Sequence, residues 1–202
     1  MRGIFLAGII AVYVLGGSGA SSLPAEELVF SGEFQQRIPA MGDGQAWMEP
    51  VQLSVDQHLI IEDIDVYFDI NHTQVGDLRI FLDGPGGESL MLKELWLPWQ
   101  EKQPNMYGTI FDDEATLYIY EGSPAYTGRF LPDGGALSIF DDTDAHGLWT
   151  LRIWDGYLDD FGTLNKWELH ITTVPEPVSL VYLLVPLCRR LRKDRRAYSL
   201  LN

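Results

Sequence analysis

The side chains of this 202-residue chain that could do chemistry are mostly carboxylates, and they gather at turns. Asp77, Asp112 and Asp113 lead as candidate cation ligands, followed by Asp142, Asp144, Asp155, Asp159 and Asp160. Hard divalent cations such as calcium take carboxylate and carbonyl oxygens, and turns leave backbone carbonyls free to join them. The competing reading is that these acids cap turns and solvate outer faces. Asp142-x-Asp144-x-His146-Gly147 opens like a helix-loop-helix calcium loop, but Ile153 stands where a bidentate Glu would be needed. Nucleophilic catalysis has less to work with. The bases are His58, His72, His146 and His170, and no serine sits in a Gly-x-Ser-x-Gly elbow. The chain is therefore expected not to be an enzyme.

The single cysteine, Cys188, excludes a disulfide framework and any multi-cysteine metal site. Charge excludes more. Twenty-nine acids against fourteen bases leave a net charge of -15, and six of the bases crowd between Arg189 and Arg196. A body this acidic has no use for phosphate backbones, so a nucleic-acid partner is not expected.

The elements that must position these acids alternate with period two. Ile64, Val66, Phe68 and Ile70 interleave with Asp63, Asp65, Tyr67 and Asp69, giving one core face and one acidic face. Leu78, Ile80 and Leu82, then Trp149, Leu151 and Ile153, then Trp167, Leu169 and Ile171 repeat the pattern. Asp83-Gly84-Pro85, Asp133-Gly134-Gly135, Asp155-Gly156 and Phe161-Gly162 supply turns. No long helical stripe interrupts them. The expectation is an all-β, jelly-roll-like sandwich of about ten short strands over residues 21–173. The apolar Trp96-Leu97-Pro98-Trp99 stretch reads as a loop folded over the sandwich edge, with an exposed aromatic platform as the alternative.

The ends read as targeting segments. Residues 1–20 carry one Arg, an apolar run from Ile4 to Leu15 and small residues up to Ala20, the form of a signal peptide cleaved after Ala20. Residues 174–202 open with Val174, Pro175, Glu176 and Pro177, continue through an apolar stretch to Cys188 and end in the basic cluster. Charge after an apolar segment holds that end in the cytoplasm. The tail resembles the PEP-CTERM sorting signal of Gram-negative envelope proteins. That resemblance implies a short membrane helix, an exosortase-type processing enzyme as partner, and a place in the cell envelope or extracellular matrix.

Three stretches of the body carry a second resemblance: Ile70 to Gly87 (INHTQVGDLRIFLDGPGG), Gly108 to Ala115 (GTIFDDEA) and Gly147 to Ile171 (GLWTLRIWDGYLDDFGTLNKWELHI). They resemble the P domain, or P/Homo B module, which follows the subtilisin-like catalytic domain in proprotein convertases and in secreted bacterial proteases. His72-Thr73, Gly76-Asp77-Leu78, Phe111 to Ala115, Trp149, Asp155 and Trp167 fall on its motif positions. The resemblance implies a β-sandwich, a stabilising role without hydrolysis, and calcium near Asp77, Asp112 and Asp113. Three functions remain open on this reading: a module that binds or stabilises an unknown surface protein, protease or polysaccharide, a detached accessory domain of a serine protease, and a structural part of an exopolysaccharide matrix.

Overall fold

The computed structural model describes residues 8–12, 25–44, 46–96 and 103–173. The sorting tail, with Val174 to Pro177 and the expected membrane helix, lies outside them, as do Ala20 and Trp99. Among the described residues no helix is long and apolar enough to cross a membrane.

The described body is all β, with four single-turn 3-10 segments as its only helical pieces. Its strands are β1 (Gly8–Val12), β2 (Glu26–Ile38), β3 (Val51–Val55), β4 (Ile61–His72), β5 (Leu78–Asp83), β6 (Ser89–Lys93), β7 (Met106–Phe111), β8 (Gly128–Phe130), β9 (Gly147–Asp155) and β10 (Gly162–Thr173). They form a six-stranded sheet in the order β1-β2-β10-β4-β7-β8 and a four-stranded sheet in the order β3-β9-β5-β6. All pairs are antiparallel except β7 with β8.

Period-two alternation does the building. The alternate apolar residues of the central strands turn inward, so that Phe30, Phe68, Trp167 and Leu169 of the larger sheet meet Leu53, Ile80, Trp149 and Leu151 of the smaller in one core. Trp149 adds an edge contact with Phe140 and donates its indole N–H to the Ala145 carbonyl at 2.9 Å. That bond settles the polar tip of a fully buried ring.

One expectation changes here. The acidic face of β4 is not uniformly wet, because Asp65 is only 7% exposed. Its cover, Arg129, arrives on β8, which no local pattern on β4 announces. Within the expected signal peptide, Gly8–Val12 is a strand on β2, with Gly8 opposite Ser31 and Val12 opposite Glu27. A short run of β-branched apolar residues serves as a leader core or as an edge strand equally well, and periodicity does not separate the two.

The 94–105 segment matches the folded-loop reading at the residues described. Trp96 packs on the core, meets Tyr126 edge-on at 6.0 Å and donates its indole N–H to Gln103 at 2.7 Å.

Candidate functional site

The leading acidic candidates fall into two separate groups. Asp112 and Asp113 follow β7, and their oxygens are engaged. Asp112 Oδ1 accepts the Glu114 N–H at 2.6 Å and Oδ2 accepts Arg129 at 2.5 Å. Asp113 accepts the N–H groups of Leu137 and Ser138 at 2.8 and 2.9 Å, capping the short helical turn Leu137–Phe140. Arg129 reaches Asp65 as well, at 2.6 Å. Burial would raise Asp112, but the guanidinium and the Glu114 N–H hold it below the usual carboxylate range. Asp65 is pushed up to about 6 because burial outweighs the same guanidinium, and its Oδ1 has no partner among the described residues. This group is a structural clasp: one cation from β8 neutralises two buried acids on β4 and after β7.

Asp77 lies elsewhere, on the short turn Val75–Asp77 ahead of β5, where Asp155 and Asp160 join it. Burial first, and then the Asp160 carboxyl, push Asp77 up to about 7. Its backbone carbonyl accepts the Gly156 N–H at 3.0 Å. Asp155 is fully buried. Its Oδ2 accepts from His72 Nε2 at 3.1 Å and its Oδ1 accepts the Tyr157 N–H at 3.0 Å. The Gln74 N–H donates to His72 Nδ1 at 3.0 Å, which leaves Nε2 to carry the ring proton toward Asp155. Thr73 Oγ1 donates to Asp160 at 2.6 Å. Lys93 completes the group from β6. Fully buried, it donates to the Leu78 and Glu94 carbonyls at 2.8 and 3.0 Å and lies 3.6 Å over the Trp96 ring. Burial pushes it down to about 7.

The remaining candidates are loop residues. Asp159 is exposed, and Asp142 sits at φ 59° in a left-handed turn. Asp144 takes the N–H groups of Leu59 and His146 and contacts His58 at 2.6 Å. Among the described residues no three His, Cys, Asp or Glu side chains are arranged to hold a metal ion. Asp77 stands apart from Asp112 and Asp113, whose oxygens are engaged by Arg129 and by backbone N–H groups. Asp112→Asn is expected to lower the melting temperature equally in calcium and in EDTA, because what it loses is the Arg129 clasp. A loss seen only in calcium would assign the residue to an ion instead.

The histidines do not assemble a triad either. His58 pairs with Asp144, His72 with Asp155, and His170 with Glu168 and Glu27. Among the described residues no serine hydroxyl is bonded to an imidazole.

A feature the acids concealed lies beside the Asp77 group. Met41, Tyr157, Leu158 and Phe161 are 42, 42, 59 and 58% exposed. Their two loops are tied together, since the Met41 N–H donates to the Tyr157 carbonyl at 2.8 Å. Gly42 permits the approach, because a Cβ there would lie 2.3 Å from the Leu158 carbonyl oxygen. Both loops sit at the end of the sandwich where Ile38, His72 and Gly162 pair across β2, β4 and β10. Asp43, Asp159 and Asp160 belong to the same loops. The sequence signal was available: three large apolar residues in an Asp-rich turn between β9 and β10, where turn chemistry would place polar ones.

Comparison with known families now decides what carries this geometry. The family model described as the proprotein convertase P-domain matches residues 61–171, more than half of the chain. The chain belongs to that family. P domains are accessory modules of serine proteases and not catalytic domains.

Among solved structures, this P domain is similar to the serine protease of Aeromonas sobria, at 14% identity and a TM-score of 0.45, covering 77% of this chain and 28% of that one. It is likewise similar to the Aeromonas sobria serine protease in complex with its chaperone ORF2, at 13% identity and a TM-score of 0.45, covering 85% and 28%. A third likeness, to PfGH50B, has 8% identity and a TM-score of 0.35, covering 84% and 22%. The chain thus spans little more than a quarter of the length of the proteases it matches. No curated protein matches it.

Proposed function

We propose that this P domain is a secreted, envelope-attached accessory module that binds the catalytic domain of a serine protease in trans. Membership in the P-domain family supports the class of partner. The observation that carries the reading is the apolar loop end at Met41, Tyr157, Leu158 and Phe161. Four large apolar side chains exposed in two joined loops form the kind of patch that marks a protein interface. Asp159 and Asp160 around them suit a partner whose apolar surface has a basic rim.

The topology suits attachment. β10 carries twelve residues from Gly162 at this end to Thr173 at the other, a run of about 40 Å. A module held through residues after Thr173 would present the apolar end away from its anchor. In this proposal the PEP-CTERM-like tail supplies that hold and an exosortase-type enzyme processes it.

Leu158→Asp and Phe161→Asp test the proposal. Each is expected to weaken binding to a secreted subtilisin-like catalytic domain, prepared without its own P domain, by about thirtyfold. Melting of the module should hardly change, since exposed positions away from caps and networks contribute little to stability. Binding that survives both substitutions would place the interface elsewhere.

A further inference from the structure

We propose that the Glu27–Ser31 stretch of β2 is a strand-accepting edge that takes an extended, uncharged apolar segment with basic flanks, contributed by a partner polypeptide. Gly8–Val12 shows the mode of pairing: five residues run antiparallel along the edge, from Gly8 opposite Ser31 to Val12 opposite Glu27. Addition of a strand to a sheet edge is held by main-chain hydrogen bonds, so it asks little of the guest beyond β-forming residues. The sequence GIIAV meets that demand.

The two halves of β2 are built differently. At Phe34–Gln35 the register with β10 slips: Leu164 stands opposite Gln36 and Lys166 opposite Glu33, and Gln35 has φ 50°. A bulge of this kind twists an edge away from intruding strands. The half from Glu26 to Ser31 has no proline, no lysine and no slip in register, while Leu28 and Phe30 anchor it in the core. The β8 edge is blunted by its length of three residues. A chain processed after Ala20 would lose β1 and leave this smooth stretch unpaired. Glu26 and Glu33 bracket it, which is why the guest's flanks are basic.

The test uses the full chain with a protease site placed between Ala20 and Ser21, folded first and then cut. The probe is a fluorescent peptide carrying the Gly8–Val12 sequence between pairs of lysines. It is expected to bind the cut chain and to slow hydrogen exchange at residues 27–31 by about tenfold or more. Retention of the severed segment through gel filtration, with displacement by the probe, supports the site equally. A probe with proline at the central Ile should do neither. Absence of both retention and probe binding, or binding without protection at 27–31, would overturn the proposal. So would loss of protection in β4 on cutting, because β1 would then be an integral strand and not a removable guest.

Discussion

Asp155→Ala is expected to lower stability by about 2–5 kcal/mol, because it strips two hydrogen-bonded donors of their acceptor at about 1–3 kcal/mol each. Asp155 is fully buried and holds two donors, His72 Nε2 in a buried bond and the Tyr157 N–H in a partly buried one. Asp155→Asn should rescue little. Its amide oxygen can keep the Tyr157 bond, but its NH2 then faces the Nε2 proton of His72, donor against donor. The change also slackens the turn into Tyr157 and Leu158, so the apolar loop end should show faster hydrogen exchange. Urea unfolding at pH 7 measures the first effect. A loss below 1 kcal/mol would mean that the buried pair is not what holds this end together.

Arg129→Met should cost about 3 kcal/mol near pH 7.5, toward the lower end for a broken buried pair because the guanidinium is half exposed. Without it, Asp65 and Asp112 stay buried with no cation, and both should titrate above the ordinary carboxylate range. A group whose folded pKa is raised adds stability that is present below its unfolded pKa and is lost as pH rises through the folded one. The deficit of Arg129→Met should therefore be smallest near pH 4 and widen toward neutrality. The same rule acts on the unaltered protein. Asp65, at about 6, and Asp77, at about 7, both withdraw stability as pH rises from 4 to 7. Lys93 runs the other way: its folded pKa is pushed down to about 7, so its penalty is relieved as pH climbs from 7 toward 10.5. Unfolding curves across this span should thus show a shallow minimum near pH 7, with Lys93→Met flattening the alkaline limb. A deficit of Arg129→Met that does not vary with pH would show that Asp65 and Asp112 are not the groups it serves.

Alternation was enough to place β4, β5, β9 and β10, because each has one face in a core and the side-chain period of a strand is two. It was not enough for Asp65, whose neutralising partner lies 64 positions away on a strand of only three residues. Asp112 and Asp113 coincide with a family motif, and that resemblance implies cation ligands. The structure shows them satisfying backbone N–H groups, and for Asp112 that role is local: its bond to the amide two residues on is an ordinary Asx turn. Asp113 caps a turn 24 residues away, which no spacing rule reveals. Lys93 closes β6 as the buried cation of the Asp77 group, because Leu78 and Glu94 offer it carbonyls beside the Trp96 ring, partners that no local pattern announces. The apolar loop end is masked in the sequence by its acids, although three of its four residues lie within a five-residue stretch.

The central claim is that this P domain serves a protease rather than acting as one. The most direct measurement is the melting temperature of a secreted subtilisin-like catalytic domain, prepared without its own P domain, with and without the full chain. A ligand that binds only the folded state raises stability by about 2.7 kcal/mol at a hundredfold excess over Kd. The account predicts a rise of several degrees that disappears with Leu158→Asp and Phe161→Asp, and no casein cleavage by the chain alone. No rise at any concentration, or steady casein cleavage by the purified chain that a serine-directed inhibitor abolishes, would contradict it.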